Sequence, residues 1–504
     1  MKQFLQNHPF AIVLLVALAL RIPAVVCSKG FMASDDHYET VQVAYKWLQT
    51  GLWDADGHLS WDGHPGAQTA RFPLYNLFLY GIMRTYKAVG VTSLDTMMYG
   101  IRGIHALLSL LSVWGAFKLI QIATRSKKWA LLAGLAVAVH FAMPYLGVRN
   151  LIEMVSGHFW LLSMTSLYAY QFGEKKTGYL ILGGILTGLA WMIRFEIATA
   201  AVIVPFVIWY LERNIRPAFW YSVGVAAMLI LSGFMDWGLL GSFASSTVNH
   251  IAQIHHESAM YHTTPLIYLL LLLGLLLPPF SFVGIYLWFR NSVWRKHLLL
   301  LATIGSFVII HTAQESRQER YIIPMLVPAL LLAILAVIQD HESGGITRRK
   351  PALLRWCLIP AIVINFLLLP ILTINYSKKG DVEPIVQIEK DGGTGGVLFF
   401  SPDIGRFFPL AYLGYEPREH EIIQGWEEFC ELRGSDSIAN RFEYVALYPR
   451  DPAELSQYVD SVQTITGPLK PWKQITASPI DWLVHRLNPE HNRSNGAWVY
   501  RVEK

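Results

Sequence analysis

"FPLYNLFLYGIMRTYKAVG", residues 72–90, is the stretch whose reading sets the topology of the whole chain. It is apolar, yet Pro73 opens it and Arg84 and Lys87 sit inside it. Its neighbours leave no doubt about the solvent. The 504 residues are 53% hydrophobic and 15% charged, with a mean hydropathy of +0.36, whereas a soluble domain carries about 25% charged residues. A spanning helix needs ~20 mostly apolar residues. Eleven other segments offer this: 10–27, 98–123, 129–147, 151–171, 178–194, 196–212, 217–240, 265–289, 297–313, 320–339 and 353–375. With Lys2 in the cytoplasm and 72–90 not crossing, the basic loops "TRSKKW" (124–129), "GEKKTG" (173–178), "ERNIRP" (212–217), "RNSVWRKH" (290–297) and "SGGITRRKP" (343–351) all fall inside, as positive loops should. If 72–90 crosses, all of them flip outward. It therefore reads as a helix lying along or dipping into the outer face. A true span behind an N-out first helix is the other reading.

This topology predicts a polytopic α-helical membrane protein in two parts. Residues 1–376 form the membrane domain of about eleven spans, with a first outer loop, 28–97, whose helices lie on the membrane surface. Residues 377–504 form a small extracytoplasmic α/β domain: "GGVLFFSP", "EYVALYPR" and "AWVYRVEK" read as short buried strands, and "RDPAELSQYVDS" as a helix with Asp451 as N-cap and Pro452 at its first position. "GGTGG" (392–396) precedes a strand and so reads as a flexible turn, not a phosphate loop. The apolar start is read as a retained first span, with a cleaved signal peptide as the alternative. The +5 net charge belongs to cytoplasmic loops and not to nucleic-acid binding. Cys27, Cys357 and Cys430 are too far apart for a disulfide framework. Gly184 and Gly188 have the small-xxx-small spacing that lets helices pack closely. Asn375 and Asn492 head Asn-x-Ser sequons, which matter only in a eukaryotic host.

The same topology collects the unusual charges at the outer boundary: Asp35 and Asp36, Arg71, Arg149, Glu153, Arg194, Glu196, Asp236, His250, His255, His256, Glu257 and His262, then His311, Glu315, Arg317, Glu319 and Arg320. Charges next to hydrocarbon are costly and mark functional sites by default. Bland readings compete: Arg21 and Arg84 as snorkelling side chains, Arg194 and Glu196 as a turn pair, the histidine loop and "SRQER" as solvated faces. Asp35 and Asp36 precede an amphipathic run in which Val41, Ala44, Tyr45 and Leu48 share a face, which predicts a helix lying on the membrane with both carboxylates at its N-terminus. A carboxylate to take a hydroxyl proton and arginines to hold an anionic phosphate suit a lipid-phosphate donor.

"SDDHYETVQVAYKWLQTG" (34–51) resembles the Asp-Glu-x-x-Gln-x-x-Glu-x-Ala-His segment of the family 22 glycosyltransferases, membrane mannosyltransferases of lipid-linked oligosaccharide and glycosylphosphatidylinositol assembly. Further similarities follow in order: "ARFPLY" (70–75), "VRNLIEM" (148–154), "GILTGLAWMIRFEIA" (184–198), "MDWGLLGSFASSTVNHI" (235–251), "MYHTTPLIYLL" (260–270) and "HTAQESRQERYIIPMLVP" (311–328). The chain departs from the pattern at Asp36 for Glu, Gln42 for Glu, Tyr45 for His and Phe195-Glu196 for Pro-Thr. It also has a longer stretch between His311 and Arg320.

The resemblance implies the GT-C fold and an inverting transfer of a sugar, mannose first, from a polyprenyl-phosphate donor to a lipid-linked or glycan acceptor on the outer face of a multi-pass membrane protein in contact with lipid. A bacterial inner membrane with a periplasmic site is the expected setting. It implies Asp35 as general base and Asp36 as its neighbour in positioning. It offers Arg317, Arg320 and His311 for the donor phosphate. Arg71, Arg194, Glu153 and Asp236 complete the candidate substrate-binding set. The resemblance implies no nucleotide sugar and, for many members, no metal; a divalent cation at Asp35/Asp36 stays open, since paired carboxylates suit one. The rival reading is a flippase or transporter of lipid-linked sugars, against which the one-sided charges and the lack of an internal repeat count.

Overall fold

The computed structural model describes residues 8–60, 71–256, 264, 266–314, 317–416, 418–433, 441–488, 492 and 496–503. The chain divides into two compact units: a helical one (1–25, 52–77 and 102–373) and one built around a sheet (26–51, 78–101 and 374–504).

Among the described residues each of the eleven expected segments carries helix, interrupted within 129–147 and 265–289. Six helices among the described residues are long and apolar enough to cross a membrane: Pro9–Cys27, Leu94–Thr124, Phe195–Glu212, Ile215–Leu240, Glu319–Glu342 and Pro351–Thr373. A seventh arises if Ile267–Leu275 and Phe280–Arg290, bent by 105° at their break, make one span. The segment 129–147 stops at Val139 and resumes at Ala142. A break in a helix exposes backbone groups that hydrocarbon cannot satisfy. Asn365 satisfies them here: its Oδ1 accepts from Phe141 N at 2.8 Å and its Nδ2 donates to Val139 O at 2.8 Å. The stretch 72–90 yields the helix Leu74–Ala88. At 1.5 Å per residue its 15 residues fall short of a ~30 Å hydrocarbon core.

The basic loops meet at one end of the helical unit. Trp129 Nε1 donates to Glu342 at 3.0 Å, Asn291 Nδ2 to Asp340 at 2.9 Å and Gln171 Nε2 to Lys296 O at 3.2 Å, and Lys175 pairs with Glu212. Arg21, read as a snorkelling side chain, does not snorkel: it is 1% exposed. Its Nε donates to Ser109 Oγ at 2.5 Å and its Nη1 to Ala17 O at 3.1 Å. Arg84 is exposed.

The glycine spacing in "GGILTG" has a packing reason. A methyl group on Gly184 would lie 2.1 Å from Tyr221 O and 3.0 Å from Gly224 Cα, and one on Gly188 would lie 2.4 Å from Met228 Cβ. Thr177–Ile193 and Ile215–Leu240 therefore cross with backbones in near contact. Gly184→Leu is expected to force them apart, at a cost of about 1–3 kcal/mol, visible as a lower unfolding midpoint in detergent. An unchanged midpoint would contradict this packing.

The second unit carries a five-stranded sheet in the order β2-β1-β3-β5-β4, with β1 Gly396–Ser401, β2 His420–Gln424, β3 Phe442–Leu447, β4 Leu469–Thr476 and β5 Gly496–Val502. β1 runs parallel to β2 and β3, and β5 antiparallel to β3 and β4. The core beneath it gathers Leu398, Phe400, Val445, Leu447, Tyr458 and Val462. The three expected strands are β1, β3 and β5. Asp451 accepts from Ala453 N at 2.9 Å and Pro452 opens the turn that leads into Leu455–Thr466. "GGTGG" is a turn, but a fixed one: Gly395 N donates to Glu443 at 2.8 Å and Arg418 Nε to Gly395 O at 2.7 Å. The three cysteines are free. Asn375 is buried and bonds Ser377 Oγ at 3.0 Å, so its sequon is closed to a glycan.

Candidate active site

Asp35 and Asp36 lie in the first turn of a helix that starts at Ser34. The backbone then passes through a π turn, His37–Gln42, before the α-helix Val43–Thr50. Such π insertions recur at functional sites because the extra residue re-aims side chains. Asp36, His37, Thr40, Val41, Ala44 and Tyr45 are buried, Asp35 is half-buried and Tyr38 is exposed. The two carboxylates thus face different surroundings.

The amphipathic face foreseen in the sequence exists, but protein covers it. Tyr45 OH donates to Thr92 O at 2.7 Å. The His37 ring stacks between Phe31 (4.7 Å, 15°) and Tyr412 (5.6 Å, 4°). Burial pushes the His37 imidazole down to about 3, so it is neutral beside the carboxylates. Residues 411–415 hold the rest. Ala411 N donates to Gln42 Oε1 at 3.4 Å, Gln49 Nε2 to Gly414 O at 3.2 Å and Tyr415 O at 2.6 Å, and Tyr415 OH to Leu48 O at 2.9 Å. The sheet-bearing unit fixes the aspartate-bearing segment.

In the helical unit a second group of predicted residues comes together. Glu153 is 0% exposed and Arg194 is 3% exposed. Arg194 Nη1 meets Glu153 Oε1 at 2.6 Å, Arg194 Nη2 meets Glu196 Oε1 at 3.0 Å and Arg320 Nε lies 3.5 Å from Glu153 Oε1. Buried charges persist only when paired in this way. Arg320 Nε also donates to Gln318 at 2.8 Å. Arg194 and Arg320 both sit over the Tyr321 ring, at 4.8 and 5.6 Å. Neither Tyr321 nor Tyr268 was singled out in the sequence, and the only signal for Tyr321 is its place directly after Arg320.

His311 packs on Phe307 at 4.0 Å, with Tyr268 and Tyr321 each at 5.9 Å. Its Nδ1 lies 2.8 Å from Phe307 O. A carbonyl only accepts, so Nδ1 carries the proton and a neutral ring leaves Nε2 as an acceptor. A phosphate contact from Nε2 would require the imidazolium. Arg317 Nε donates to Thr312 O at 3.0 Å. Asp236 is tied into the fold, since its Oδ2 accepts from Ser246 N at 2.9 Å and Ser246 Oγ at 2.6 Å. Arg71 is half-buried just before Leu74–Ala88. The histidine-loop reading falls mostly outside the described residues, as do Glu257, His262 and Glu315. His250 is described and packs against Phe195 at 4.6 Å. Among the described residues no three His, Cys, Asp or Glu side chains group to hold a metal.

A profile of the Alg9-like mannosyltransferase family matches residues 12–390. The chain is 22% identical over 467 residues to GPI mannosyltransferase 3 of Yarrowia lipolytica, covering 84% of this chain and 79% of that protein. It is 24% identical over 400 residues to GPI mannosyltransferase 3 of Drosophila melanogaster, covering 75% of this chain and 64% of that protein. Among solved structures, ArnT of Cupriavidus metallidurans bound to undecaprenyl phosphate superimposes with a TM-score of 0.60 over 98% of both chains at 13% identity. The Archaeoglobus fulgidus oligosaccharyltransferase complexed with zinc and sulfate does so with a TM-score of 0.54, over 98% of this chain and 73% of that one, at 12% identity. Both share its fold.

Proposed function

The chain belongs to the Alg9-like mannosyltransferase family, and on that premise we propose that it moves mannose from a polyprenyl-phosphate donor to a lipid-linked or glycan acceptor at the extracytoplasmic face. It is a multi-pass membrane glycosyltransferase of GT-C fold. The observation that carries the finer proposal is Asp35: a half-buried carboxylate at the start of a π-interrupted helix, in the segment that matches the family's leading Asp. That ArnT was solved with undecaprenyl phosphate supports the donor class.

In this mechanism Asp35 takes the proton of the acceptor hydroxyl as its oxygen attacks C1 of the mannose. The new C1–O bond forms while the bond from C1 to the phosphate oxygen breaks, and polyprenyl phosphate leaves with inversion at C1. Negative charge builds on the leaving phosphate, and Arg317 and Arg320 are assigned to hold it, with Arg71 as a further contact. Fixed cations aimed at developing charge are the usual dominant catalytic effect. Arg194, already engaged by Glu153 and Glu196 and stacked on Tyr321, positions Arg320. His311 joins the phosphate only when protonated. Asp236 supports the turn at Ser246.

No step runs through a metal. Asp36 is buried while Asp35 is half-buried, and adjacent residues on a helix face about 100° apart, so the pair presents a poor bidentate site. Transfer is therefore expected to persist in EDTA, and its loss there with recovery on Mn²⁺ would restore the cation. The site is extracytoplasmic, periplasmic in a bacterial host; both relatives named above are eukaryotic proteins.

The test supplies the purified protein with polyprenyl-phosphate mannose or GDP-mannose and a mannose-terminated lipid. A new glycosidic bond formed from the first donor alone is expected. Transfer from GDP-mannose alone would overturn the donor assignment, and movement of unmodified lipid-linked sugar across a bilayer without bond formation would revive the transporter reading.

A further inference from the structure

On the aspartate-bearing helix, Asp36 and His37 turn inward, while Asp35 is half-buried and Tyr38, one turn on, is exposed. Tyr38 thus follows Asp35 by three residues, in the π turn that re-aims this stretch, and both keep an open surface. Against Tyr38 stands Phe407 from the loop after β1, ring to ring at 5.6 Å and 61°. Phe407 is 52% exposed although both its sequence neighbours, Arg406 and Phe408, are buried.

The loop that presents it is stiff. Arg406 Nε donates to Asp381 at 3.1 Å and the guanidinium lies 4.3 Å over Tyr448. Gln424 Nε2 donates to Arg406 O at 2.7 Å, and Gly405 N donates to Gln424 Oε1 at 2.6 Å. Phe408 packs on Phe399 at 5.2 Å and on Tyr448 at 5.1 Å. A rigid loop thus holds a large apolar ring half-exposed, against a second exposed ring on the helix that carries a half-buried carboxylate.

We propose that Tyr38 and Phe407 form an aromatic step beside Asp35 on which a sugar ring of the glycan acceptor stacks. This rests on the transferase reading above and gives the sheet-bearing unit a part in acceptor recognition. A pyranose has an apolar C–H face and a hydroxyl-rich rim. Two aromatic rings set edge to face offer that apolar face a partner, while the hydroxyl next to be glycosylated reaches toward Asp35. Aromatic rings also give much contact area for little lost side-chain freedom. The step selects for a sugar ring and not for a charged group, which separates it from the arginine cluster.

Methyl mannobioside serves as the probe, with the full chain in nanodiscs. Saturation transfer from the protein to the disaccharide is measured for wild type, Tyr38→Ala, Phe407→Ala, and Asp35→Asn as the control that retains the step. The expected result is strong transfer in wild type and Asp35→Asn and loss in both alanine variants, with recovery in Tyr38→Phe and Phe407→Trp. In turnover, each alanine variant raises the acceptor KM roughly tenfold or more, which is the weight of one buried aromatic contact, and leaves the donor KM within about twofold. Saturation transfer that survives both alanine variants overturns the step, as does an equal rise in both KM values. The two proposals fail separately. A wild type that makes no product from polyprenyl-phosphate mannose, but loses mannobioside contact in both variants, removes the donor assignment and leaves the step. Product formation with contact surviving in both variants removes the step alone.

Discussion

Asp35→Asn is expected to lower mannose transfer by roughly 10²–10⁴-fold, the range that a positioned general base contributes, with the fold and donor binding unchanged. Asn keeps the shape of the side chain and its place in the first helical turn but cannot take a proton from the attacking hydroxyl. Asp35 is half-buried and Asn keeps a polar side chain of the same size there, so the unfolding midpoint is expected to move little. Asp36→Asn should behave differently. The Asp36 side chain is buried, so its substitution is felt first as lost stability. Steady-state kinetics against both substrates, set beside melting curves, separate the two. An Asp35→Asn enzyme with wild-type turnover would remove Asp35 from the chemistry and shift attention to Glu39 on the same helix.

The parts of this architecture that were legible from sequence are those that local rules govern. Asp451 and Pro452 start a turn because a capping carboxylate and a fixed φ act within three residues. Gly184 sits at a close helix crossing because only a missing Cβ permits it. Strands β1, β3 and β5 are apolar runs buried in the sheet, whereas β2 and β4 are edges with mixed exposure, and β4 carries Pro471; edge strands tolerate Pro and give a weak signal. What local rules could not reach are partners supplied from far along the chain. Asn365 mends a helix break some two hundred residues away. Tyr412 covers His37, and Tyr415 bonds Leu48. The face of the 34–50 helix read as membrane-facing is apolar for the usual reason, but periodicity says only that a face is covered and not by what. The candidate cluster follows the same division. Glu153, Arg194, His311 and Arg320 were found as costly charges, while Tyr321, which organises two of them, looks in sequence like any interfacial aromatic.

Glu153→Gln is expected to be the most damaging single change in the helical unit. The buried Glu153 carboxylate faces two guanidinium groups, Arg194 at 2.6 Å and Arg320 at 3.5 Å. Glutamine fills the same volume, so no cavity explains a loss. What disappears is the charge that lets two arginines stay desolvated near one another. Removing one partner of a buried pair costs about 3–5 kcal/mol, because the other charge remains without compensation. Glu196, 3.0 Å from Arg194, offsets part of this for Arg194, and the rest of the loss should fall on Arg320, 3.5 Å from Glu153, and the Tyr321 ring it sits over. A double-mutant cycle isolates the pair. Glu153→Gln and Arg194→Met should each lower the unfolding midpoint, and the double variant should recover only part of the summed loss, since both single changes break the same contact while Arg320 still faces a neutral glutamine. Activity should not recover with it, because Arg320 then lacks the stacked, paired neighbour that aims it at the donor phosphate. Additive stability losses in the double variant would show that Glu153 and Arg194 act separately. Restored turnover in the stabilised double variant would show that the pair serves folding alone and that Arg320 is held by Gln318 and Tyr321 without it.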